Sequence, residues 1–101
     1  MLERDYQRKL IKKLKEKFPG CLIVKNDAQL KQGIPDLLIL YKDKWVALEV
    51  KVSATAHHQP NQDIYVERMN EMSYASFIFP ENEEQVFKEL EEVFVDELSV
   101  L

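Results

Sequence analysis

The chain has 101 residues, 46% of them hydrophobic and 32% charged. That composition suits one folded domain with a single core, residues 1–101, and excludes an intrinsically disordered segment. The net charge of −4 speaks against a nucleic-acid binder that works through bulk positive charge. No apolar run approaches the ~20 residues of a membrane span. The charged N-terminal stretch lacks the apolar centre of a signal peptide, and the lone Cys21 excludes an internal disulfide and points to a reducing cytoplasm.

Residues 2–18 carry Tyr6, Leu10, Leu14 and Phe18 at a spacing of four, with Ile11 beside them, so the pattern predicts an amphipathic helix stopped by Pro19-Gly20. Helical phase sets Glu3 and Gln7 in the middle of the apolar arc and Asp5 on the opposite side, among Arg8, Lys9 and Lys12. A carboxylate on a core-facing stripe is costly unless it meets a cation or a donor, which makes Glu3 a candidate functional residue. The helix is rich in Lys and Arg, and it can lie on phosphates through Lys12 and Lys15. Residues 21–25 predict a short strand with Cys21 as a small buried residue, and 26–32 a polar loop. Gly33 leaves room for a close backbone approach or a positive φ.

The segment 33–51, GIPDLLILYKDKWVALEVK, predicts a hairpin of strands 34–41 and 44–52 joined by Lys42-Asp43. With a two-residue turn Tyr41 faces Lys44, and the same register sets Asp36 opposite Glu49. Side chains alternate along a strand, so Lys51 shares the face of Glu49. Like charges at closest cross-strand approach are destabilising unless a cation sits between them. This register therefore predicts a divalent metal site. A three-residue turn would send Asp36 to the other face.

Residues 53–60 read as a loop. Its His57-His58 pair has no third His or Cys nearby to form a metal set. A helix follows over 61–72 with Asn61 as its N-cap, docked through Tyr65 and Met69, then a strand over 74–79 ending at Pro80. A final amphipathic helix over 81–98 presents Val86, Leu90, Val93 and Phe94 on one face, with its many acidic residues on a solvated one. Tyr41, Trp45 and Tyr74 read as core or interface residues rather than base-stacking platforms.

Pro35-Asp36 followed by Glu49-Val50-Lys51 resembles the PD-(D/E)XK nuclease signature. With Gly33 ahead and a Gln downstream, the chain is similar to the VRR-NUC group, in particular its small stand-alone forms from bacteriophages and prophages. The resemblance spans residues 3 to about 90. It implies an α/β fold with a mixed sheet, ordered helix, three strands, helix, strand, with a further C-terminal helix. It implies Mg²⁺ or Mn²⁺ on Asp36, Glu49 and the Val50 carbonyl, with Glu3 completing the site or holding a second ion. Lys51 would orient the attacking water and stabilise the transition state. Gln62 would contact that lysine, with Gln59 the competing candidate, and Gln7 and Gly33 would lie against DNA. The expected activity is structure-selective DNA cleavage in the cytoplasm (the host's, if phage-encoded), by a homodimer acting on four-way (Holliday) junctions. Flaps or nicks are the alternative substrates. A module that binds DNA without cutting it is the non-enzymatic alternative, although such modules usually lack one of Asp36, Glu49 or Lys51.

Overall fold

A computed structural model describes residues 1–27 and 29–95. The element order is α1 (Glu3–Lys17), β1 (Leu22–Lys25), β2 (Leu37–Tyr41), β3 (Lys44–Val50), α2 (Gln62–Met72), β4 (Tyr74–Ile78) and α3 (Glu83–Phe94). This is the expected order of elements in an α/β chain. The expected continuation of the last helix beyond Val95 lies outside the described residues.

The four strands form one sheet in the order β1-β2-β3-β4. β1, β2 and β3 are antiparallel neighbours and β4 runs parallel to β3, so the sheet is mixed. The antiparallel connection from β2 to β3 needs only Lys42-Asp43, and Lys42 takes a left-handed φ of 58° to close it. The parallel return to β4 needs a crossover, which α2 supplies.

The alternation of β3 divides its side chains between two layers. Val46, Leu48 and Val50 join Leu37, Ile39 and Ile78 in a core capped by Tyr6, Leu10 and Leu14 of α1 and Val86, Leu90 and Phe94 of α3. Fully burying side chains of this kind contributes about 1.5–3 kcal/mol each. Ala47 lies on the other layer, beside Ala75 of β4. These two small residues let α2 lie close to β3 and β4, the strands it packs against. β1 forms the edge of the sheet opposite β4, and its Leu22 and Val24 remain exposed.

α1 and α3 share a sheet face and are tied by charge as well as by packing. Lys13 pairs with Glu83 at 2.7 Å and Lys17 with Glu91 at 2.6 Å, and the Tyr6 hydroxyl donates to Glu83 at 2.8 Å. The acidic residues of α3 are therefore only partly a solvated face. Asn61 precedes α2 as expected but makes no side-chain cap; it sits at φ 74° with its side chain off the helix N–H groups. Among the described residues no helix is long and apolar enough to cross a membrane.

Candidate functional site

The hairpin register is the predicted one, with Tyr41 opposite Lys44 and Leu37 opposite Leu48. One step further along the same register Asp36 meets the end of β3. Its Oδ2 accepts the Val50 N–H at 3.0 Å. A strand residue turns its N–H and C=O toward the same side, so the Val50 carbonyl also lies on the Asp36 side. The next residue turns the other way: the Lys51 N–H goes to the Ile78 carbonyl on β4. Asn26 holds the start of the motif, its side chain donating to the Pro35 carbonyl and its N–H to the Asp36 carbonyl, both at 2.8 Å.

Glu49, Lys51 and Gln62 are buried together, exposed by only 2%, 5% and 9%. The Gln62 amide bridges the other two: its Nε2 donates to Glu49 Oε2 at 3.0 Å, and its Oε1 accepts from Lys51 Nζ at 2.8 Å. Oε1 also accepts the Gln59 N–H at 2.8 Å, which fixes which end of the amide faces which charge. Of the two competing glutamines, Gln62 therefore contacts the lysine through its side chain, while Gln59 contributes its backbone. Lys51 Nζ donates to the His57 carbonyl at 3.0 Å and lies 3.7 Å from Glu49 Oε2. An ammonium has three donors, so two fixed acceptors leave one for a further ligand.

The electrostatics carry the cost of this convergence. Burial, and next the charge of Asp36, push the Glu49 carboxyl up to about 8, against the pull of Lys51. Burial also raises Asp36, although the Val50 N–H and Lys51 oppose it. Without a cation the two carboxyls therefore favour sharing a proton near neutral pH. Glu3 stands at the rim. It is exposed in the first turn of α1 rather than enclosed by the apolar arc, yet burial and the charge of Asp36 raise its carboxyl while Lys51 lowers it. Gln7 is half-buried one turn on, and Asp5 is engaged away from the site, 3.6 Å from Arg8.

The donor set fits a hard divalent cation. It is all oxygen, and Glu49 Oε1 is buried with no hydrogen-bond partner among the described residues, an orphan that a cation would satisfy. The set is sparse. Among the described residues no three His, Cys, Asp or Glu side chains form a group that could hold a metal ion. An ion here would keep several waters, as Mg²⁺ commonly does.

Asp36 and Gln62 open onto a cleft of about 450 Å³ lined also by Gln29, Gln32, Gly33, Ile34 and Gln59. Gly33 sets the contact between its walls. Its φ is 90°, and a Cβ there would lie 2.6 Å from the Asn61 Cβ and 2.9 Å from the Pro60 carbonyl oxygen. Both predicted roles of this glycine, positive φ and close approach, are thus observed together. Lys12 and Lys15 are exposed on α1, without an ion pair among the described residues. A second groove, between α1 and α3, is lined by the paired Lys13, Lys17, Glu83 and Glu91 and contains none of the candidate residues.

Three contributors to the cluster were not foreseen from sequence. The His57 carbonyl acts through its backbone, which leaves no sequence signal. His58 is held by Asp63 at 3.0 Å and stacked on Phe77 at 4.2 Å between centroids, and so anchors the loop that carries that carbonyl. Asn26 sits in a polar loop of similar residues, and only the tertiary position of Pro35-Asp36 distinguishes it. Compared with known proteins, the chain matches no family model, and no curated protein or solved structure is significantly similar to it.

Proposed function

We propose that this chain is a Mg²⁺- or Mn²⁺-dependent, structure-selective DNA endonuclease of the PD-(D/E)XK type, similar to stand-alone VRR-NUC domains. The observation that carries the reading is the cluster itself: two carboxyls meeting at the end of a hairpin, one with an orphaned buried oxygen, beside a buried lysine held by a bridging glutamine. The order of helices and strands and the mixed sheet agree with that core.

Asp36, Glu49 and the Val50 carbonyl would hold the cation, which when bound would acidify a water and offset charge on the scissile phosphate. Glu3, at the rim and in the field of Asp36 and Lys51, would complete the site or hold a second ion. Lys51 would use its remaining donor on the attacking water or on the phosphate oxygen that gains charge. Gln62 and the His57 carbonyl keep its ammonium aimed. Among the described residues no Ser or Cys side chain takes part in the contacts of this cluster, so direct hydrolysis to a 5′-phosphate and a 3′-hydroxyl is the expected course. Symmetric cutting of a four-way junction requires two sites and so a homodimer.

The test is cleavage by purified protein, with Mg²⁺ or Mn²⁺, of labelled linear, nicked, flap and four-way DNAs. Metal-dependent cutting with preference for the four-way form supports the proposal. Cutting confined to flaps or nicks selects that alternative. Binding without cutting in either metal sinks the enzymatic reading.

A further inference from the structure

We propose that the cleft beside Asp36 and Gln62 receives an unpaired nucleobase next to the scissile phosphate; this rests on the nuclease reading and names what its substrate must present. The chemistry of the walls carries the inference. The cleft is lined by Gln29, Gln32 and Gln59, by Gln62, whose own amide is engaged with Glu49 and Lys51, by one carboxylate and by the apolar Ile34, with no Lys or Arg among its lining residues. Beyond a cation held at Asp36, a phosphate in this space would find no positive side chain. A neutral base meets what it needs: amides offer a donor and an acceptor on one plane, the arrangement that pairs with a base edge, best with adenine, and Ile34 adds an apolar surface.

The cations stand outside the cleft. Lys31 lies over the Tyr65 ring at 5.2 Å, and Lys25, on the edge strand, is close enough for its charge to lower Asp36. They suit the phosphates on either side of an inserted base. The volume, about 450 Å³, falls within the roughly 300–1,000 Å³ of sites for small organic ligands. A base stacked in a duplex cannot enter a side cleft and reach the metal site at once, so the nucleotide must leave the stack, which is cheapest where it is already unpaired. Preference for branched DNA would then arise within one subunit, from the loose nucleotide at the branch.

Binding separates this from the nuclease reading. The probes are a short fluorescein-labelled deoxyadenosine oligomer and the same oligomer with every base replaced by an abasic residue, so that the phosphates are equal. Affinities are read by anisotropy with Ca²⁺ in place of Mg²⁺. The wild-type protein should prefer the base-bearing strand by about tenfold, the scale of one paired amide–base contact. Gln29→Ala with Gln32→Ala, both at exposed positions, should bring the ratio near one without lowering the melting temperature. Equal affinity for the two strands in the wild-type protein overturns the inference, as does a preference that survives the double substitution. A base preference in a protein that cuts no DNA fails the nuclease reading and leaves base recognition standing; cutting without base preference does the reverse.

Discussion

At the scale of single residues, the site is governed by Glu49, whose oxygens meet opposite fates. Oε2 is held by Gln62 and Oε1 has no partner among the described residues. Asp36→Asn and Glu49→Gln should each lower cleavage at least about 100-fold, the scale of removing one electrostatic contribution from a buried site, while circular dichroism shows the fold retained; wild-type rates in either would remove the metal assignment. The raised Glu49 carboxyl also sets a pH dependence. The folded state keeps a proton up to about 8 that the unfolded chain releases near 4.5. The folded state therefore binds more protons in that window, and stability without metal should fall as pH rises from about 4.5 to about 8. Urea melts of the wild-type protein and Glu49→Gln should converge at the acid end and separate at the alkaline end, with the variant the more stable. Added Mg²⁺ should oppose the loss, since binding requires the deprotonated carboxylate. Glu3→Gln should slow cleavage and Asp5→Asn should change it little, because Glu3 lies in the field of Asp36 and Lys51 while Asp5 pairs with Arg8. Equal effects in steady-state rates would deny α1 a part in the chemistry.

At the scale of elements, the β2–β3 hairpin and the α2 junction decide whether these residues meet. The register was legible because a two-residue turn fixes parity and the apolar runs on both sides leave one face to each charged residue. Asp36 opposite Glu49, and Lys51 with Glu49, follow from that alone. The pairing of Gln62 with Lys51 was less legible, since Gln59 also precedes the helix and only the left-handed turn at Asn61 decides which amide swings inward. The depth of Glu3 was misjudged for another reason: helical phase gives direction around an axis but not how far the helix end projects beyond the sheet. Gly33→Ala tests the junction. The added methyl meets backbone at Pro60 and the Asn61 side chain, and φ is one that L residues rarely adopt, so stability should drop by about 1–3 kcal/mol. Cleavage should fall further than the remaining folded fraction explains, because the same displacement pulls Gln62 from Glu49. Thermal melting alongside single-turnover rates separates the two effects.

At the scale of the whole molecule, charge and assembly are the testable quantities. Lys12→Ala with Lys15→Ala should weaken binding to every DNA shape alike and flatten the dependence of affinity on salt by about one unit of slope for each phosphate left without its lysine. Preference among shapes should survive, because phosphate contacts position a duplex without discriminating its form. Light scattering should show a dimer, and a monomer even with DNA bound would withdraw the junction reading in favour of flaps or nicks. The ties between α1 and α3 have a consequence in time as well as in space. Glu3 is made well before the partners of its helix, which is fastened by Tyr6, Lys13 and Lys17 to Glu83 and Glu91, near the far end of the described chain. A chain emerging in order of synthesis can close its hairpin, bury Glu49 and seat Gln62 before either helix can dock against the other. Residues made early are then among the last to be placed, and the protein should not acquire activity until α3 has left the ribosome.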